Sequence, residues 1–208
     1  VILPEEILQD GHLVGMLTSQ NVLAGVKIDG GLAKYEGSDV EEVTLGLDGL
    51  DERLANYVTL GATFTKFRSF LHIDNERGFP SDGNIRENAR IQAAFALATQ
   101  MAGLVPMVEP EVDMVGTHSI EDCERVTRIV LKAVFEELEK AGVYYKGMVL
   151  KPNMVLSGKQ ASDRANTAVV ASRTVTVLSE LVPPEVAGIA FLSGGQSDAE
   201  AYANLNEI

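Results

Sequence analysis

Five apolar runs of strand length recur along the chain, and each ends in charged or glycine-rich residues. Run 22–26 leads to Lys27, run 62–65 to Lys66 and Arg68, and run 104–108 to Glu109 and Glu111. Run 147–150 leads to Lys151, and run 187–192 to Ser193, Gly194 and Gly195. Successive ends at positions 27, 66, 109, 151 and 193 lie about forty residues apart, with helix-patterned segments between them. The chain therefore reads β, α, β, α. Alternation along a strand puts Lys66 and Arg68 on one face with Ala62 and Phe64, and pairs Glu109 with Glu111. It also puts Val149, Lys151 and Asn153 on one side and Leu150 and Met154 on the other, with Pro152 stopping the run. A lone lysine after a strand is ordinarily a solvated end. Repetition at five strand ends argues for something else.

The helices carry their own punctuation. Leu47, Leu50, Leu54 and Tyr57 give an apolar face over 41–60, closed by Gly61. Ile91, Ala94, Phe95 and Ala98 do the same over 84–102, before Gly103. Segment 120–141 opens on a capping box, Ser119 with Asp122, continues through Val126, Val130 and Val134, and stops at Gly142. A fourth helix is predicted over 163–181, ahead of Val182, Pro183 and Pro184, and a last begins at Ser197 with Glu200. Cys123 falls on the apolar face of the third, which makes it a core thiol. As the single cysteine it excludes an internal disulfide and fits a reducing, cytoplasmic compartment.

Alternating strands and helices leave an open doubly wound sheet or a (β/α)8 TIM barrel. The first should show a glycine fingerprint after an early strand, and none is present. The barrel predicts functional residues at the C-terminal ends of several strands, because those ends converge on one mouth. The expectation is thus an α/β barrel forming one domain over 1–208, with strands at 1–3, 22–28, 62–68, 104–109, 146–152 and 187–193. Six of eight strands are supplied, the first clipped. The opening at Val1, Ile2 and Leu3, inside an apolar run without methionine, predicts a fragment.

A net charge of −13 argues against nucleic acid or an anionic membrane as partner. No run reaches membrane-spanning length and no signal peptide is predicted. Against that acidic background Lys27, Lys66, Arg68 and Lys151 gather at strand ends, which suits an anionic small molecule. An amine is nucleophilic only when neutral, a state favoured by desolvation and nearby cations. Lys66 and Arg68 are placed to act so on Lys151, and Glu109 or Glu111 to shuttle protons as an amine adds to a carbonyl. Ser193, Gly194 and Gly195, just before a helix start, offer a hydroxyl and open N–H groups to a phosphate. Taken singly, Ser-Gly-Gly is a common turn, Glu-Pro-Glu a solvated pair and Lys-Phe-Arg a surface strand. Asp48 and Asp51 read as a solvated helix face. His12, His72 and His118 lack a ligand spacing, so no metal site is predicted.

The stretches 150–155, 191–197 and 108–111 carry a resemblance to a known family. Leu150-Lys151-Pro152-Asn153-Met154-Val155 is the most specific, and the elements 25–29, 46–50 and 204–206 follow in the same order. Together they closely resemble the class I fructose-1,6-bisphosphate aldolases, over essentially the whole chain. The resemblance implies a metal-independent Schiff-base enzyme without a cofactor. Its reaction is the reversible cleavage of fructose 1,6-bisphosphate to dihydroxyacetone phosphate and glyceraldehyde 3-phosphate. Lys151 resembles the Schiff-base lysine and Lys66 the lysine that stabilises the carbinolamine. Glu109 resembles the acid/base glutamate and Glu111 its supporting carboxylate. Lys27 and Arg68 look like the cations at the far phosphate, and Ser193, Gly194 and Gly195 like the loop holding the nearer one. A homotetramer is also implied.

Two positions depart from the family pattern. Phe67 stands in place of a usual tryptophan, on the face opposite Lys66, where it affects packing. Gly30 replaces a common lysine. The family's aspartate at the end of its first strand, its arginine after the eighth and its C-terminal tyrosine have no counterpart here. Alternatives are another Schiff-base aldolase on a different phosphorylated sugar, or an inactive phosphosugar-binding remnant. These 208 residues alone are expected to be inactive.

Overall fold

The computed structural model describes residues 1–9 and 11–208. It opens with two short helices the sequence pattern did not announce, α1 (Pro4–Gln9) and α2 (Gly11–Ser19). The main sheet runs β1 (Gly25–Lys27), β4 (Phe64–Leu71), β5 (Val105–Val112), β6 (Val149–Leu150) and β7 (Gly188–Ile189) in that spatial order. Every pairing in it is parallel. Ile2 adds a parallel bridge to Val26, so a sixth strand position lies beside β1. Sequential parallel neighbours joined by helices are the arrangement of a partial (β/α)8 barrel.

The helices α3 (Leu50–Thr59), α4 (Asp82–Met101), α5 (Ile120–Ala141), α6 (Thr167–Leu181) and α7 (Asp198–Glu207) follow the strands. The strands bury Val26, Phe67, Val108 and Leu150 fully, while Phe95, Val126, Val130 and Leu138 supply the helix side of the core. Phe67 stacks on Phe95 with ring centroids 4.8 Å apart, so its role is packing, as its side of the strand implied.

α5 has the predicted bounds, the Ser119–Asp122 capping box and Gly142 in the left-handed conformation as its stop. Replacing Ser119 with alanine strands the first-turn N–H groups and should cost about 1 kcal/mol. Thermal unfolding should register this as a fall of about 2–4 °C in Tm.

Other boundaries moved, each for a local reason. Segment 41–60 is not one helix. Glu42–Thr44 forms strand β3, antiparallel to β2 (Leu32–Lys34), and the helix begins only at Leu50. Gly46 forces the break: it has φ +127°, and a Cβ there would sit 2.7 Å from the backbone nitrogen of Gly30. Thr167, not Asp163, starts α6, because Asn166 provides the cap to the N–H of Val169. Val22 and Leu23 are exposed and precede the strand. The strands predicted over 146–152 and 187–193 contract to two residues each, a 3-10 turn taking Tyr145–Gly147. On α4, Ala94 faces solvent, and Gln92, Ala93 and Ala96 take the buried stripe, with Gln92 bonded to Ser69 Oγ at 2.9 Å.

Candidate active site

Parallel registry places the charged strand ends side by side. Lys66 pairs across with Met107 and Arg68 with Glu109, so each cation of β4 lies one same-face step behind a carboxylate of β5. Lys66 Nζ accordingly bonds Glu109 Oε2, and Arg68 Nε bonds Glu111 Oε2 at 2.5 Å. From the next strand over, Lys151 Nζ donates to the other oxygen, Glu109 Oε1, at 2.6 Å. One carboxylate thus serves two ammoniums. The Glu109 side chain is 4% exposed, Lys66 10% and Lys151 25%, so the cluster is dry on one side and open on Lys151.

Lys151 gets there because β6 ends at Leu150, and the Lys151 N–H still bonds the Val108 carbonyl at 2.8 Å. After that Pro152 ends the alternation. Asn153 therefore does not share the side of Lys151: it turns outward, bonding the Val112 N–H at 3.2 Å and Thr127 Oγ1 on α5 at 3.1 Å. Its amide also reaches Cys123 Sγ, which accepts from the Leu156 N–H at 3.4 Å. Cys123 is buried, and burial pushes its thiol pKa up, so it is the core thiol the helix face implied.

On the other flank, Lys27 Nζ bonds Asp29 Oδ1 at 2.5 Å, and Asp29 Oδ2 accepts from the Arg68 N–H at 3.4 Å. Burial works against the Arg68 charge, but the bond to Glu111, then Glu111, Glu109 and Asp29 as charges, outweigh it and raise its pKa. Its guanidinium also lies over the Phe70 ring, 4.4 Å from the centroid.

Ser193, Gly194 and Gly195 follow β7 at the same end of the sheet, where Leu192 N–H bonds the Pro152 carbonyl at 3.1 Å. Both glycines are left-handed, at φ +61° and +79°. The Ser193 carbonyl is taken by Gln196 Nε2 at 2.8 Å, and Lys159 Nζ reaches the Gly195 carbonyl at 3.3 Å. Among the described residues neither glycine N–H donates a hydrogen bond. The turn then feeds α7 through the capping box of Ser197 and Glu200.

The family model described as glycolytic, fructose-bisphosphate aldolase class-I, matches residues 1–208. The chain belongs to the class-I fructose-bisphosphate aldolase family. A fructose-bisphosphate aldolase of Plasmodium falciparum is 45% identical over 196 residues, 94% of this chain and 53% of its own length. That of Dictyostelium discoideum is 43% identical over 213 residues, 100% of this chain and 60% of its own. Bovine fructose-bisphosphate aldolase B is 45% identical over 93% of this chain and 52% of its own. The chain therefore spans little more than half the length of these aldolases. A crystal structure of the P. falciparum aldolase, in complex with TRAP and a small molecule inhibitor, aligns with TM-score 0.93 and 45% identity. The alignment covers 94% of this chain and 56% of that one.

The geometry also brings residues up beside this candidate site that the sequence pattern passed over. Asp29 ties Lys27 to the backbone of Arg68, and the spacing Lys-x-Asp at a strand end is its signal. His72 and Asp113, each one residue past its strand, bond at 3.0 Å through Nδ1 and Oδ2. No helix among the described residues is long and apolar enough to cross a membrane.

Proposed function

We propose that Lys151 is the Schiff-base lysine of a class I aldolase acting on fructose 1,6-bisphosphate, with Glu109 as its proton carrier. The observation that carries this is the shared carboxylate: Glu109 bonds Lys151 through one oxygen and Lys66 through the other. Lys151 can pass a proton to Glu109 along an existing hydrogen bond, while Lys66 holds the carboxylate in place.

The neutral Lys151 amine then adds to the C2 carbonyl of the open-chain ketose. Glu109 returns its proton to the carbinolamine hydroxyl, which leaves as water and forms an iminium. The C4 hydroxyl proton passes to Glu109, the C3–C4 bonding pair flows into the iminium, and glyceraldehyde 3-phosphate departs from an enamine. Protonation at C3 and hydrolysis release dihydroxyacetone phosphate and restore the amine. The iminium is the electron sink, so the chemistry asks for no metal or cofactor.

Lys27 and Arg68, steadied by Asp29 and Glu111, receive the far phosphate. The open N–H groups of Gly194 and Gly195, with Ser193, receive the near one. A cytoplasmic homotetramer is part of the same reading.

The test is cleavage of fructose 1,6-bisphosphate by the complete protein that carries this chain. Turnover should be unchanged by a chelator and lost on borohydride treatment with dihydroxyacetone phosphate. Activity lost to the chelator and restored by zinc would contradict the mechanism.

A further inference from the structure

Beyond the two ion pairs that join β4 to β5 at the mouth, a third, outer contact lies just past both strands. Arg68 and Phe70 stand on one face of β4, and His72 follows one residue past its end. The His72 ring meets Phe70 edge-on, centroids 4.8 Å apart at 85°, and Phe70 carries the Arg68 guanidinium on its ring. His72 Nδ1 bonds Asp113 Oδ2 at 3.0 Å, and its Nε2 lies 3.7 Å from Glu42 Oε2 on β3.

The main chain holds the Asp113 carboxylate, and side-chain amides of α4 hold the Glu42 backbone. Asp113 N–H bonds the Leu71 carbonyl at 2.8 Å, and Asp113 Oδ1 accepts from Val115 N–H at 2.8 Å. The Glu42 carbonyl accepts from Asn84 and Asn88 of α4 at 2.8 and 3.0 Å. One imidazole therefore joins the β2–β3 hairpin, the end of β4 and the segment after β5.

We propose that His72 is a positioning residue for Arg68: in its protonated form it clamps Glu42 and Asp113 together and holds Phe70 under the guanidinium. The inference rests on the aldolase reading and gives that site a pH-dependent grip on the far phosphate of the bisphosphate. A protonated ring donates from both nitrogens, to Asp113 and toward Glu42, whereas a neutral ring donates from one. Deprotonation releases the hairpin contact and loosens the support of Phe70.

The charged groups facing His72 are Asp113 from beyond β5 and Glu42 from β3, with Arg68 further along its own strand. α4 meets these strands with neutral amides: Asn88 Oδ1 accepts from the Thr44 N–H and Gln92 Nε2 donates to Ser69 Oγ. His118, buried near Asp113, has its pKa lowered by burial, which favours its neutral form. The Asp113 hydrogen bond, opposed by burial and reinforced by the Asp113 and Glu42 charges, raises the His72 pKa above its ordinary 6.5. Because the folded value is raised, the clamp is complete below 6.5 and is lost as pH rises through the higher folded value.

The experiment measures KM for fructose 1,6-bisphosphate against pH in the complete protein, in wild type, His72→Gln and Asp113→Asn. The substrate phosphates titrate in the same region, so the comparison between proteins is the readout. Wild-type KM should rise about fivefold more than that of His72→Gln across the transition, the size expected of a partly exposed ion pair. The kcat values should stay alike. Asp113→Asn should move the KM transition to lower pH, in step with the His72 ring titration followed by NMR. Coincident KM profiles for wild type and His72→Gln would overturn the proposal. So would a ring titration that shifts in Asp113→Asn while the KM profile stays put, which decides the matter even if His72→Gln does not fold. Borohydride trapping of dihydroxyacetone phosphate, which has a single phosphate, checks the aldolase reading separately. Trapping at Lys151 with no KM difference sinks only the inference about His72.

Discussion

Lys151→Ala should reduce cleavage of fructose 1,6-bisphosphate to the background rate while leaving the protein folded. The side chain is a quarter exposed, and its one side-chain hydrogen bond among the described residues goes to Glu109, which keeps Lys66 as a partner. Removing it therefore opens no core cavity and isolates no buried charge. What disappears is the only amine among the described residues that both reaches Glu109 and remains open to substrate. Lys151→Arg is the sharper control. A guanidinium keeps the positive charge and can keep the carboxylate contact, but it does not become neutral in a protein and cannot form the iminium. Both variants should unfold at nearly the wild-type temperature and fail to turn over. Substantial cleavage by Lys151→Arg would mean that another group forms the covalent bond.

Glu109→Gln should impair both chemistry and stability. A glutamine amide has one oxygen, so it can accept from one lysine while its NH2 group turns a donor toward the other. Lys66 and Lys151 would then face each other without the negative charge between them. Lys66 is nearly buried, so the loss of its partner should cost about 3 kcal/mol, the low end for a broken buried pair because Lys151 can still be solvated. Denaturant unfolding reads that cost as a lower midpoint at unchanged slope. The proton carrier is lost as well, and kcat should fall by about 10²–10⁴-fold. A variant with near-normal kcat would show that proton transfer runs through a different group, and Glu111, paired with Arg68, would be the next to replace.

The parts of this architecture that were legible in the sequence are those fixed by local periodicity. α5 declares its start through Ser119 and Asp122, its face through Val126, Val130 and Val134, and its end through Gly142. Alternation puts Lys66 and Arg68 on one face of their strand and Glu109 and Glu111 on one face of theirs, and the parallel register then brings those faces together. The rest depends on distant contacts. β3 looked helical because Leu47, Leu50, Leu54 and Tyr57 set a period into which residues 41–46 could be drawn, but Gly46 must pass close to Gly30. Strand alternation puts Asn153 on the side of Lys151, but Pro152 ends it just after the last ladder bond, from Lys151 to Val108. His72 and Asp113 lie just past the apolar runs, so only the packed loops bring them together.

The central claim is that the covalent bond to substrate forms at Lys151, and mapping a reduced adduct tests it most directly. The complete protein carrying this chain is incubated with dihydroxyacetone phosphate, reduced with borohydride, digested and sequenced by mass spectrometry. The secondary amine should appear on the peptide containing Lys151. It should be absent from Lys151→Ala, and weaker but unmoved in Lys66→Ala. An adduct on Lys66 or Lys27 would contradict the assignment of roles around Glu109.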